Sequence, residues 1–145
     1  MKVEKMDHIS STDLQTLMTL WLSGNLDAHP FISEEYWQEH ENEVAGALKT
    51  AEVYVVRDDN GEIVGFAGMQ GQRLTGIFVK AGQRNDGLGS LLMFALKSDY
   101  RLIKASAFEK NANAIHFYKQ HDFDISEREL NQETNEVVVK MIWQA

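Results

Sequence analysis

The 145-residue chain contains no cysteine. That excludes a disulfide framework, a thiolate metal site and a thiol nucleophile, so any covalent chemistry has to come from other side chains. Proline occurs once, at Pro30, and no Gly/Ser- or Pro-rich stretch reads as a linker. We therefore expect one domain over 1–145, since a chain of this length buries about two-thirds of its unfolded surface and builds a core without crosslinks. No run approaches the roughly 18 apolar residues of a membrane helix, and Met1 to Ser10 lacks the apolar stretch of a signal peptide. These readings imply a soluble, cytoplasmic protein. Clusters of Lys and Arg are missing too. With 14 basic against 22 acidic residues the net charge is −8, unsuited to a nucleic-acid surface. The acidity favours cationic partners, although solubility alone accounts for a charge of this size.

What is present is a change of period. From Thr12 to Ser23 the apolar residues Leu14, Leu17, Met18, Trp21 and Leu22 follow helical spacing, with Ser10 or Ser11 as cap and Gly24 beyond the end. After a linker through His29-Pro30-Phe31, Ser33 caps a second helix whose stripe is Trp37, Val44 and Leu48. Beyond about residue 50 the alternation becomes twofold. Ala51 to Arg57 and Glu62 to Met69 flank the turn Asp58-Asp59-Asn60-Gly61, and Arg73 to Val79 forms a third strand with Gly76 inside it, the mark of a bulge or close approach. A helix from Leu88 to Ser98 (Leu88, Leu91, Leu92, Ala95 and Leu96 on one face), a strand Leu102 to Phe108, a helix Ala112 to His121 and two closing strands follow. A short first strand over Lys2 to Asp7 completes the order β-α-α-β-β-β-α-β-α-β-β. It implies an α/β (α+β) fold: a mixed, mostly antiparallel sheet of six to seven strands with a central parallel pair and helices on both faces.

The segment Gln83-Arg84-Asn85-Asp86-Gly87-Leu88-Gly89-Ser90 carries the most chemistry. Two glycines at a strand-to-helix turn leave backbone amides unobstructed at the positive end of a helix, an arrangement suited to a diphosphate. A P-loop needs Gly-Lys-Ser/Thr, yet Gly89 is followed by Ser90-Leu91; a dinucleotide turn needs a third glycine where Leu92 stands. What remains is Arg84-x-x-Gly87-x-Gly89. A second motif, Asn111-Ala112-Asn113-Ala114-Ile115-His116-Phe117-Tyr118, is followed five residues on by Phe123.

Together these two motifs resemble those of the GNAT superfamily of acetyl-CoA-dependent N-acetyltransferases, and the order of elements agrees from about Val3 to Trp143. Asp122 stands where that family usually has glycine, and Asp tolerates the left-handed conformation required after a helix. The resemblance implies a GNAT-like sheet whose central parallel pair splays, and acetyl transfer from acetyl-CoA to a primary amine by direct attack, with no metal. The acceptor is a small molecule or a protein lysine or N-terminus. Diphosphate binding falls to Arg84, Asn85, Asp86, Gly87, Leu88, Gly89 and Ser90. The pantetheine arm pairs with the backbone of Ile77, Phe78 and Val79, whose side chains remain core, and an amide near Phe78 or Val79 holds the oxyanion. Asn111 bonds the arm or caps the following helix. Tyr118 protonates the departing thiolate or is a core aromatic.

Many members place a carboxylate on the strand before the phosphate loop, and Arg73 to Val79 has none. His29 is the substitute base, titrating near neutrality, against the alternative of a turn residue. His8, His40, His116 and His121 show no metal spacing and are expected in solvent or in local hydrogen bonds. A non-catalytic acyl-CoA sensor is the alternative function, which Tyr118 disfavours and the missing strand carboxylate keeps open.

Overall fold

The computed structural model describes residues 1–145. The elements run β1 (Val3–Lys5), α1 (Ser11–Ala28), α2 (Glu34–Glu39), α3 (Glu41–Leu48), β2 (Glu52–Arg57), β3 (Ile63–Gln70), β4 (Arg73–Val79), α4 (Leu88–Asp99), β5 (Leu102–Phe108), α5 (Ala112–Gln120), β6 (Asp124–Asn131) and β7 (Glu136–Gln144). They build one seven-stranded sheet in the order β1-β2-β3-β4-β5-β7-β6. Every neighbouring pair is antiparallel except β4–β5. No helix is long and apolar enough to cross a membrane.

The central strands read as nearly continuous apolar runs because both their faces are covered. On β2, Val53 and Val55 pack with Leu17, Leu20, Trp21, Trp37 and Leu48 of α1 to α3. Their alternates Tyr54 and Val56 pack with Leu88, Leu92, Met93 and Leu96 of α4 and with Tyr118 of α5. The period of two thus assigns each strand residue to one of two cores.

Three expectations are corrected. Helix α1 does not stop at Gly24 but continues to Ala28, because Gly24 serves packing: a Cβ there meets the Phe78 ring at 3.0 Å, so glycine brings α1 down onto β4. The single helix expected after Ser33 is two. The His40 amide bonds Trp37 O rather than the carbonyl one residue further back, and its ring is held between Glu43 (3.3 Å) and Glu133 (3.0 Å), a partner in the β6–β7 hairpin. Leu91, placed on the buried face of α4, is partly exposed, and Met93 takes its place in the core.

Parallel pairing between β4 and β5 is confined to their beginnings, at Arg73↔Lys104 with Lys104 N–H donating to Gln72 O at 2.8 Å. Thereafter the strands part. The register shift at Gly68/Met69 leaves Thr75 unpaired, and Gly76 adopts φ +154°, a conformation L side chains rarely take. A Cβ at Gly76 would meet the Phe78 ring at 2.6 Å. Sequence-predicted bulge and observed bulge coincide.

Candidate active site

The splay opens a cleft of about 910 Å³. Its walls are the C-terminal half of α1, the start of α2, the free edge of β4, the N-terminus of α4, the end of β5 and the start of α5.

At one end lies the glycine turn. Gly87 is the N-cap of α4 at φ +77°, and no side chain caps that helix. The first intrahelical bond is Leu91 N–H to Gly87 O, so the amides of Leu88, Gly89 and Ser90 have no acceptor in the protein. A Cβ at Gly87 would project into open space. These features fit a diphosphate: unpaired donors, a positive helix end and room above them. Gly87, Gly89, Ser90 and Arg84 line the cleft, whereas Asn85 and Asp86 face solvent and the Leu88 side chain is buried in the core. Ser90 Oγ lies 3.1 Å from His121 Nε2, a contact that the sequence did not foreshadow; no hydrogen bond orients His121 Nδ1, so it joins α4 to α5 without forming a triad.

Arg84 turns back across the cleft. Its Nε donates to Val79 O at 3.0 Å and its Nη1 to Asp27 Oδ2 at 2.9 Å. The Val79 carbonyl is available because of ladder parity. Lys80 N–H donates to Val64 O at 2.8 Å, and hydrogen-bonded pairs alternate along an antiparallel ladder, so Phe78 exchanges its backbone bonds with β3. Ile77 and Val79 direct theirs into the splay. Of the three residues expected to meet a pantetheine arm, parity thus selects these two, and it leaves Val79 rather than Phe78 to offer an amide for an oxyanion.

Deeper in the cleft, Tyr118 packs against Phe117 and Phe123. Burial pushes its phenol up to about 12. Trp37 Nε1 is the one sealed side-chain polar atom without a partner. The Tyr118 hydroxyl has no partner either, so it must open to the cleft.

His29 sits in the aromatic wall, stacked on Trp37 with centroids 5.0 Å apart and edge-on to Phe31 and Phe108. Its Nδ1 lies 2.8 Å from Asn25 O and its Nε2 3.2 Å from Asn111 Nδ2. A carbonyl can only accept and an amide nitrogen only donate, so the ring is neutral with its proton on Nδ1. Desolvation lowers its pKa, in part offset by Asn25. In this setting the Nε2 lone pair accepts from the Asn111 amide, so His29 could act as a base only by giving up that bond. Asn111 is equally committed: Oδ1 caps α5 by accepting from Ala114 N–H at 3.2 Å. Among the other histidines, His40 and His121 make the local contacts described, and no cluster of side chains could hold a metal ion. Sequence reasoning missed Asp27, which no motif marks.

The model of the acetyltransferase (GNAT) domain matches residues 49–125. The chain is 30% identical over 134 residues to the peptidyl-lysine N-acetyltransferase YiaC of Escherichia coli K12, covering 91% of each chain. The solution structure of apo YjaB from Escherichia coli superposes with a TM-score of 0.83 at 23% identity, over 98% of this chain and 96% of that one. An aminoglycoside 6'-N-acetyltransferase complexed with coenzyme A shares the fold at a TM-score of 0.77 and 14% identity, over 99% and 97%. These likenesses do not favour the sensor alternative. Motifs, splayed sheet and relatives agree, and the chain belongs to the GNAT family of acetyl-CoA-dependent N-acetyltransferases.

Proposed function

We propose that the cleft acetylates the side-chain amine of a protein lysine, with roles distributed as follows. The amides of Leu88, Gly89 and Ser90 hold the diphosphate of acetyl-CoA. Ile77 and Val79 pair with the pantetheine arm as a neighbouring strand would, and the Val79 amide faces the developing oxyanion. Amine nitrogen bonds to the acetyl carbon, the carbon–sulfur bond breaks, and the amine proton leaves through cleft water. Tyr118 donates its hydroxyl to the departing sulfur. His29 holds Asn111, and Asn111 fixes the start of α5, the helix that carries Tyr118; both are positioning residues.

The observation that carries this reading is the meeting in one cleft of an uncapped helix start, a free strand edge and an unpartnered phenol. The relatives named as peptidyl-lysine N-acetyltransferases support the acceptor class, as does the wall itself. Trp21, Tyr36, Trp37 and Phe108 offer apolar surface for a butyl chain, whereas a polycationic sugar requires several carboxylates and the lining contains one, Asp27. The test is thiol release from acetyl-CoA with Nα-acetyl-lysine amide, spermidine and kanamycin. The lysine probe should give the highest kcat/KM, and preference for kanamycin would reverse the acceptor assignment.

A further inference from the structure

The cleft contains one carboxylate, and it is already occupied. Asp27 is the only acidic residue of the lining, and its partner Arg84 is one of two cations there. The other cation, Lys110, is paired with Glu136 at 3.0 Å. Arg84 therefore does two things at once. It neutralises Asp27 through Nη1 and covers the Val79 carbonyl through Nε.

Both functions conflict with binding of acetyl-CoA. The Val79 oxygen is a natural acceptor for a pantetheine amide, and Arg84 lies three residues before Gly87, the N-cap of the uncapped helix. A diphosphate carries two negative charges where Asp27 carries one, and its oxygens match the guanidinium fork. Both members of the ion pair are partly exposed, with side-chain accessibilities of 38% for Arg84 and 54% for Asp27, so the bond between them is of the weak, solvent-screened kind and can be exchanged.

We propose that the Arg84–Asp27 pair is a cofactor-operated cover: acetyl-CoA draws Arg84 away, and the carboxylate it leaves on the cleft wall becomes the binding site for the cationic acceptor. This rests on the acetyl-transfer reading above. It assigns Asp27 to the acceptor, because until Arg84 is drawn off the cleft has no unpaired anion to offer an ammonium. The coupling is reciprocal, so an amine held at Asp27 also keeps Arg84 from returning and tightens the cofactor.

Coenzyme A binding by calorimetry, and thiol release with whichever of the three amines is fastest, test the proposal in the wild type, Asp27→Asn and Arg84→Gln. Asp27→Asn should bind coenzyme A about threefold tighter, the effect of an exposed ion pair that no longer has to break. Its amine KM should rise about tenfold, the loss falling on KM rather than kcat, and the rise should shrink at high salt. Arg84→Gln should weaken coenzyme A while leaving the amine KM at saturating acetyl-CoA unchanged, a split from Asp27→Asn that a purely structural pair would not produce. Unchanged or weaker coenzyme A binding by Asp27→Asn, or an unchanged amine KM in that variant, would overturn the proposal while leaving acetyl transfer intact. Absence of coenzyme A binding or of thiol release in the wild type would instead remove the reading on which it rests.

Discussion

Replacing Tyr118 by Phe deletes one oxygen from the cleft and nothing from the core, because that hydroxyl bonds no protein atom and the ring keeps its contacts with Phe117 and Phe123. Stability should therefore stay within about 0.5 kcal/mol of the parent. The catalytic effect follows from the phenol's pKa. At about 12 it stands roughly 3.5 units above an ordinary thiol, so outright proton transfer to the sulfur is uphill by about 5 kcal/mol. A hydrogen bond from the hydroxyl to the forming thiolate needs no such transfer. A bond to a charged acceptor contributes about 1.5–3 kcal/mol, so kcat should drop roughly 10- to 10²-fold. Since the chain has no cysteine, a thiol reagent reads released coenzyme A without protein background. The phenol remains protonated to about pH 11, and no alkaline limb near pH 10 should belong to it. A folded Tyr118→Phe enzyme losing less than threefold in kcat at pH 7 would refute the argument, as would a wild-type limb near pH 10 that vanishes in the variant.

Three further outcomes follow from the geometry. Gly87→Val places a branched side chain at φ +77°, with a strain of about 1–2 kcal/mol, and should stay folded while losing the rise in Tm that acetyl-CoA gives the parent; a preserved rise would place the diphosphate elsewhere. Burial depresses the pKa values of His29 and His121, so below about pH 6.5 the unfolded chain takes up protons that the folded one refuses, and Tm should fall on acidification. His40, raised mainly by its bond to Glu133, opposes this trend; His29→Gln should flatten the slope, and an identical slope would show that His29 is not held neutral. Asn111→Asp keeps the cap on α5 but turns a donor into an acceptor opposite His29 Nε2, so a proton NMR titration should find that imidazole titrating above 6.5 instead of below.

The parts of this molecule that were legible in its sequence are those fixed by local chemistry. The switch from 3.6 to 2 marks where β2 begins, the glycines of Arg84-x-x-Gly87-x-Gly89 mark the uncapped helix, Gly76 marks the bulge, and Asp122 adopts the expected positive φ at +68°. What escaped was fixed by distant partners. Gly24 reads as a helix stop until the Phe78 ring is seen beneath it. His40 reads as mid-helix until Glu133, 93 residues away, holds its ring. His29 has the right titration range for a base, but the amide that engages its Nε2 belongs to Asn111, 82 residues away. Asp27 is an unremarkable acid near a helix end whose role depends on Arg84, 57 residues on. No periodicity encodes such pairings.

Parting β4 from β5 gives the sheet a third rim, lying in its interior. The two outer rims are defended in familiar ways: β1 is three residues long, and β6 carries Asp124, Glu127, Arg128 and Glu129. The inner rim, at Ile77 and Val79, has apolar side chains and no charge of its own beyond the Arg84 guanidinium at the Val79 carbonyl, and a lysine placed there to repel other chains would stand where the cofactor has to lie. Its defence is recess. A foreign strand with side chains on both faces would have to pass beneath α1 and beside α5, whereas the thin, unbranched arm of coenzyme A does not. The cleft therefore filters by cross-section as well as by chemistry, and widening it, for example by trimming Trp21 or Phe108, should expose the rim to other polypeptides and make the ligand-free protein prone to self-association.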